Sequence, residues 1–181
     1  MASSSRKIFG VGVHRTGTSS VARALSILGF RTSHWSRHDQ IMADVRTGSY
    51  RLRAMECLDA VLDFPIPVLY RELDAAFPGS RFILTVRDQR GWLASAEEHT
   101  RGRSLLPEEV MFYGRDTFNG DEALERYRAL NQRVIDHFSG RPNLLVLAVS
   151  AGEGWDKLAP FCERPVPAVP FPWVRPVFEP G

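Results

Sequence analysis

Few folds can accommodate the stretch from Lys7 to Phe30, KIFGVGVHRTGTSSVARALSILGF. Ile8, Phe9, Val11 and Val13 form an apolar run of strand length. Val21, Ala22, Leu25 and Leu28 then recur at helical spacing, and Gly29 supplies a stop. Between strand and helix lies Gly12-Val-His-Arg-Thr-Gly17-Thr18-Ser19, the frame of a phosphate-binding loop with Thr18 where a lysine is usual. Backbone N–H groups of such a loop, together with the positive end of the helix behind it, form an anion cradle. A cradle without its lysine points to a phosphate ligand but away from ordinary ATP chemistry.

The remainder alternates strand-like and helix-like segments, which predicts an α/β fold of P-loop type: a central, mostly parallel sheet flanked by helices in three layers. The pattern places a short strand at Phe30–Ser33 and helices over Asp39–Thr47 and Arg51–Leu62. Pro65 and Pro67 impose extended backbone. A helix is expected over Val68–Phe77, a core strand over Arg81–Val86, and a helix over Gln89–Arg101 with Asp88 as N-cap. A long amphipathic helix over Asp121–Phe138, a third core strand over Asn143–Val149 and a short helix over Trp155–Cys162 follow. From Pro165 onward six prolines (Pro165, Pro167, Pro170, Pro172, Pro176 and Pro180) predict an ordered tail without regular structure. The expectation is one domain across residues 1–181.

Bulk properties exclude several classes. A chain of 181 residues that is 44% hydrophobic and 24% charged reads as an ordinary soluble globule. Its net charge is +2 and its 23 basic residues are dispersed, so no nucleic-acid footprint is expected. Cys57 and Cys162 suit neither a disulfide framework nor a metal centre and are expected as buried thiols in a reducing compartment. His34 and His38 have metal-like spacing but no third ligand, so no metal is expected. No run approaches about 18 apolar residues and no leader precedes the first strand, which predicts a cytoplasmic protein with no membrane partner. Oligomeric state is not legible.

Anion sites in parallel α/β sheets sit at the carboxyl ends of strands. The residue after RFILTV is Arg87, whose guanidinium can present a bidentate fork to a phosphate. Ser95, two turns into the next helix, can share the same oxyanion. The plainer alternative pairs Arg87 with Asp88 or Glu97 and leaves Ser95 as a surface hydroxyl.

HRTGTSS followed by FILTVRDQRGWLAS resembles the two nucleotide signatures of sulfotransferases that use 3′-phosphoadenosine 5′-phosphosulfate (PAPS). The likeness extends through YRELDAAFPGSRFILTVRD and GEGWDKLAPFCERPVPAVPFPWV, both of which look like a compact, mainly microbial branch. The resemblance implies that Arg15, Thr16, Gly17, Thr18, Ser19 and Ser20 hold the 5′-phosphosulfate, and that Arg87 and Ser95 hold the 3′-phosphate. Arg15 would bridge the sulfonyl group and the leaving phosphate, with adenosine 3′,5′-bisphosphate (PAP) as product and a small-molecule hydroxyl or amine as acceptor. Sulfuryl transfer of this kind needs positioning and electrostatics more than covalent chemistry.

The family's cytosolic members place a histidine general base a little over twenty residues before the second-signature arginine. Here that place reads Asp63-Phe64-Pro65, so Asp63 is the candidate base, provided burial raises its pKa. The alternative makes it a turn cap or a partner of Arg71. His14, beside Arg15, is a candidate for contact with the sulfonyl group or for shaping the loop, and His34 for acceptor duty or packing. Ser20 stands where many cytosolic members carry an aromatic residue, which leaves the adenine without an evident stacking partner. Trp92 and Trp155 are expected in the core, with shelter of the nucleotide as the alternative for Trp155. Arg101 and Arg103, or Arg164 and Arg175, are the spare cations available to the phosphates. Two other readings use the same residues: a non-catalytic PAP- or PAPS-binding protein, and a small-molecule kinase of P-loop type.

Overall fold

The computed structural model describes residues 6–34 and 38–174. Its sheet contains β1 (Ile8–Gly10), β2 (Thr32–His34), β3 (Ala60–Leu62), β4 (Arg81–Thr85) and β5 (Leu144–Leu147). All four pairings are parallel, in the spatial order β2-β3-β1-β4-β5. β1 is central, with Ile8 opposite Ala60 on one side and Arg81 on the other. The helices are α1 (Thr18–Ile27), α2 (His38–Arg46), α3 (Tyr70–Ala76), α4 (Gln89–Thr100), α5 (Pro107–Tyr113), α6 (Gly120–His137) and α7 (Trp155–Phe161).

Strand side chains alternate between the faces of the sheet, so it builds a core on each. Ile8, Leu62, Ile83 and Leu147 pack with Val21, Leu25, Trp155 and Leu158 on the side of α1 and α7. Phe9, Val61, Phe82 and Leu84 pack with Trp92, Tyr127, Val134 and Phe138 on the side of α4 and α6. This is the expected three-layer arrangement.

Several local expectations need correction. Arg51–Leu62 is not one helix. It contains a 3-10 turn at Arg53–Glu56 and then β3, which pairs with β1 and β2. β3 is buried throughout, so it shows no polar alternation by which a strand is recognised. Asn143–Val149 yields an edge strand, with Leu144 and Leu145 half-buried and Val146 exposed, not a core strand. The second strand begins two residues later than expected, and Ile66–Leu69 form a 3-10 turn leading into α3. Helix α5 was not expected at all. Cys162 is buried but Cys57 is exposed. Trp35 and Arg175 lie outside the described residues. No helix among the described residues is long and apolar enough to cross a membrane.

Candidate active site

The loop after β1 is held from below. The amide of Val11 donates to the Ile83 carbonyl at 2.8 Å. At Gly12 the chain crosses β4 so closely that a Cβ would lie 2.0 Å from Thr85 Oγ1 and 2.6 Å from its carbonyl oxygen. The buried Thr16 hydroxyl donates to the Val13 carbonyl and accepts from Thr85 Oγ1, each at 2.6 Å. Thr16 is thereby a brace of the loop, and its side chain is committed inward. Arg15 (φ 68°) and Gly17 (φ 102°) turn the loop through left-handed backbone. Gly17 begins α1 with no side-chain cap and no acidic residue in the first turn. The first N–H groups of α1 therefore remain available for an anion.

The second loop is fixed by a stacked pair of rings. Trp92 on α4 and Tyr127 on α6 stack at 4.3 Å and 8°. The Trp92 indole N–H donates to the His14 carbonyl at 3.1 Å. The Tyr127 hydroxyl accepts from the Arg87 amide and donates to the Arg87 carbonyl, both at 2.9 Å. One aromatic stack thus ties down both signature loops. Asp88 caps α4 by accepting from the Gly91 amide at 2.7 Å. Gly91 leaves room for the Arg87 side chain, since a Cβ there would lie 3.0 Å from Arg87 Nε.

The two loops meet across a cavity of about 720 Å³ lined by Arg15, Thr16, Gly17, Thr18, Ser19, Ser20, Arg87 and Ser95, with Val149, Ser150, Trp173 and Val174 at other parts of its wall. Arg15 Nε donates to Ser95 Oγ at 2.9 Å, and Arg87 donates to the Arg15 carbonyl at 3.4 Å. Burial, and then the neighbouring Arg87 cation, hold the Arg15 pKa below its usual value. Among the described residues Arg87 pairs with neither Asp88 nor Glu97, and its buried Nε has no hydrogen-bond partner. Two cations, an orphaned guanidinium donor and an uncapped helix start are the donor set that a phosphate-rich ligand requires.

Asp63 follows β3 in left-handed backbone, at φ 78°. One carboxylate oxygen accepts from the Phe64 amide at 2.8 Å, and the other lies 3.4 Å from His34 Nε2. The same nitrogen is 3.1 Å from Thr18 Oγ1 and 3.4 Å from Ser19 Oγ. Asp63 therefore faces His34, while Arg71 donates to the Tyr70 hydroxyl instead. His34 and Asp63 end adjacent parallel strands, and through His34 the candidate base reaches the cradle. The pairing is tertiary: the parallel register sets His34 opposite Leu62, next to Asp63, and because Arg51–Leu62 reads as a helix in the sequence, the chain carries no local signal for it.

His14 is buried behind the loop. Its Nε2 lies 2.6 Å from the Tyr113 hydroxyl, and its Nδ1 has no partner among the described residues. Burial, and then the nearby His99, lower its pKa to about 3. His14, His99 and Glu109 offer ligand atoms within 4.8 Å of one another. Glu109, however, accepts two bonds of 2.8 Å from Arg103, so its carboxylate is already committed to a cation. We read the group as a polar cluster behind the loop, with His14 and Glu109 buried and His99 partly exposed. Neither His14 nor Asp63 lines the cavity that holds the two signatures. Of the spare cations, Arg101 pairs with Glu98, Arg103 with Glu109, and Arg164 lies over the Phe30 ring.

A parallel α/β sheet whose central strand delivers a glycine-turned loop and an open helix start to an arginine-lined cavity defines a P-loop-type fold. A family model of the sulfotransferase domain matches residues 7–107 and 108–176, and the chain belongs to that family. No curated protein matches it. Family membership makes sulfuryl transfer the activity class.

Proposed function

We propose that the protein transfers a sulfuryl group from PAPS to a hydroxyl or amine of a small-molecule acceptor. The observation that carries this reading is the 2.9 Å bond from Arg15 to Ser95, which joins the two signature loops beside the orphaned Arg87 donor. The uncapped start of α1 and the Arg15–Arg87 pair fit a ligand with phosphates at both the 5′ and 3′ positions. Bound PAPS supplies an activated sulfuryl group whose S–O bond to the phosphate breaks as the acceptor's bond to sulfur forms.

Arg15 then neutralises charge building on the leaving phosphate oxygen, and Thr18 with Ser19 donates to the same phosphate. Arg87 and Ser95 select the 3′-phosphate, which ATP lacks. Asp63 takes the acceptor's proton, and His34, held between Asp63 and Thr18, fixes the carboxylate relative to the cradle. His14 acts as a positioning residue behind Arg15, neutral at physiological pH. The acceptor's identity is open to a screen of phenols, alcohols and amines.

The test is calorimetric titration with PAP, ADP and magnesium-free ATP. A preference for PAP of about tenfold or more, roughly 1.4 kcal/mol, supports a dedicated 3′-phosphate site. Equal binding, or preference for ATP, refutes it and favours kinase chemistry.

A further inference from the structure

The nucleotide site contains an aromatic residue that the signatures do not account for. After α7 the proline-rich strap runs back across the molecule and is fastened at two places. At the first, Trp155 Nε1 donates to the Val169 carbonyl at 2.8 Å and the Trp155 and Phe171 rings meet edge to face at 5.0 Å. Phe171 also packs so closely on Gly154 that a Cβ there would lie 2.9 Å from its ring. At the second, the Val174 amide donates to Ser20 Oγ at 3.0 Å. Between the fastenings Trp173 lies on the cavity wall and is 61% exposed.

This is an unusual place to leave an indole. Trp carries one of the largest apolar surfaces of any side chain, and a strap secured on both sides of it could have packed it inward. Here the ring is held beside a polar, arginine-lined cavity instead. A flat aromatic ligand face closing on it would remove that exposed area.

We propose that Trp173 is the stacking platform for the nucleotide base, and that Ser20 anchors the strap that carries it. The inference rests on the donor reading above. It resolves the absence of an aromatic residue directly after the first loop: the serine at that position holds, through the Val174 amide, an aromatic supplied from about 150 residues later in the chain. The C-terminal strap is thereby part of the donor site, and the base is gripped by a segment whose own packing depends on α7.

The test compares PAP with a base-free ribose 3,5-bisphosphate on the full chain and on two variants, Trp173→Ala and Trp173→Phe. Stacking on an aromatic ring predicts that the wild type prefers PAP, and that Trp173→Ala loses about fivefold or more in PAP affinity with little change for the base-free ligand. Trp173→Phe should retain most of the preference. Equal affinity of the wild type for both ligands overturns the platform and leaves the bisphosphate site standing. An equal loss for both ligands in Trp173→Ala also overturns it, because the residue would then only brace the strap. Binding of neither ligand by the wild type refutes the donor reading and the platform with it.

Discussion

Replacing Tyr127 by Phe keeps the ring that stacks on Trp92 and removes only the hydroxyl. That hydroxyl makes two 2.9 Å bonds, one with the Arg87 amide and one with its carbonyl. Burial pushes the Tyr127 pKa up, so the proton it donates is present throughout the physiological range. Each bond is worth about 0.5–1.5 kcal/mol net, and a part-buried group left without its partner forfeits somewhat more. A loss of about 2 kcal/mol is expected, which for a chain of this size lowers Tm by about 4–8 °C. The second effect is functional. With the Arg87 backbone loosened, the guanidinium samples more positions, so PAP affinity should fall while ADP affinity, which lacks the 3′-phosphate contact, changes less. Thermal melts and calorimetric titrations read both quantities. A Tyr127→Phe variant with wild-type Tm and an unchanged PAP-to-ADP ratio would refute the idea that this hydroxyl positions Arg87.

Other expectations follow from the same geometry. Arg15→Ala should lower kcat/KM for sulfuryl transfer by about 100-fold or more, as expected when a group stabilising transition-state charge is removed; a steady-state assay reads it. Arg87→Ala should abolish discrimination between PAP and ADP, measured by competitive titration. Asp63→Asn should lower kcat by about 10²–10⁴-fold with PAP affinity held within about twofold; near-normal turnover would remove Asp63 from the base role. His14 stays neutral in the fold down to about pH 3, whereas in the unfolded chain it protonates near 6.5. Between those values the unfolded state binds the extra proton, so stability falls as pH drops below about 6.5, by up to about 1.4 kcal/mol per pH unit. Denaturation midpoints of His14→Gln should therefore decline less steeply than wild type between about pH 6.5 and 5, and parallel declines would contradict the burial of a neutral imidazole.

Much of the site was legible because its recognition is local. Gly12, Arg15, Gly17 and the helix behind them are consecutive, and Arg87 and Ser95 are two turns apart on one strand–helix unit. Their turn chemistry and spacing can be read from the chain alone. What was missed depends on distant partners. β3 becomes a strand by pairing with β1 and β2, and nothing in Ala60–Leu62 distinguishes a buried strand from the end of an apolar helix. Helix α5 did carry a local signal, since Pro107 occupies its first turn and Glu109 reaches back to accept from the Leu106 amide at 2.8 Å. Its importance, however, lies in delivering Tyr113 to His14, a contact between residues 99 apart. The His34–Asp63 pair and the return of Trp173 to the first loop are equally non-local.

Among the described residues three non-glycines adopt positive φ: Arg15, Asp63 and Glu163. Two of them are the residues to which the chemistry is assigned. A left-handed arginine costs about 1–2 kcal/mol relative to ordinary backbone, and aspartate, which tolerates that region better, costs less. Glycine would relieve the strain at either position and abolish the function of the side chain there. Selection of this chain for heat resistance alone would thus favour inert variants, and its evolution toward stability has to be tracked together with turnover.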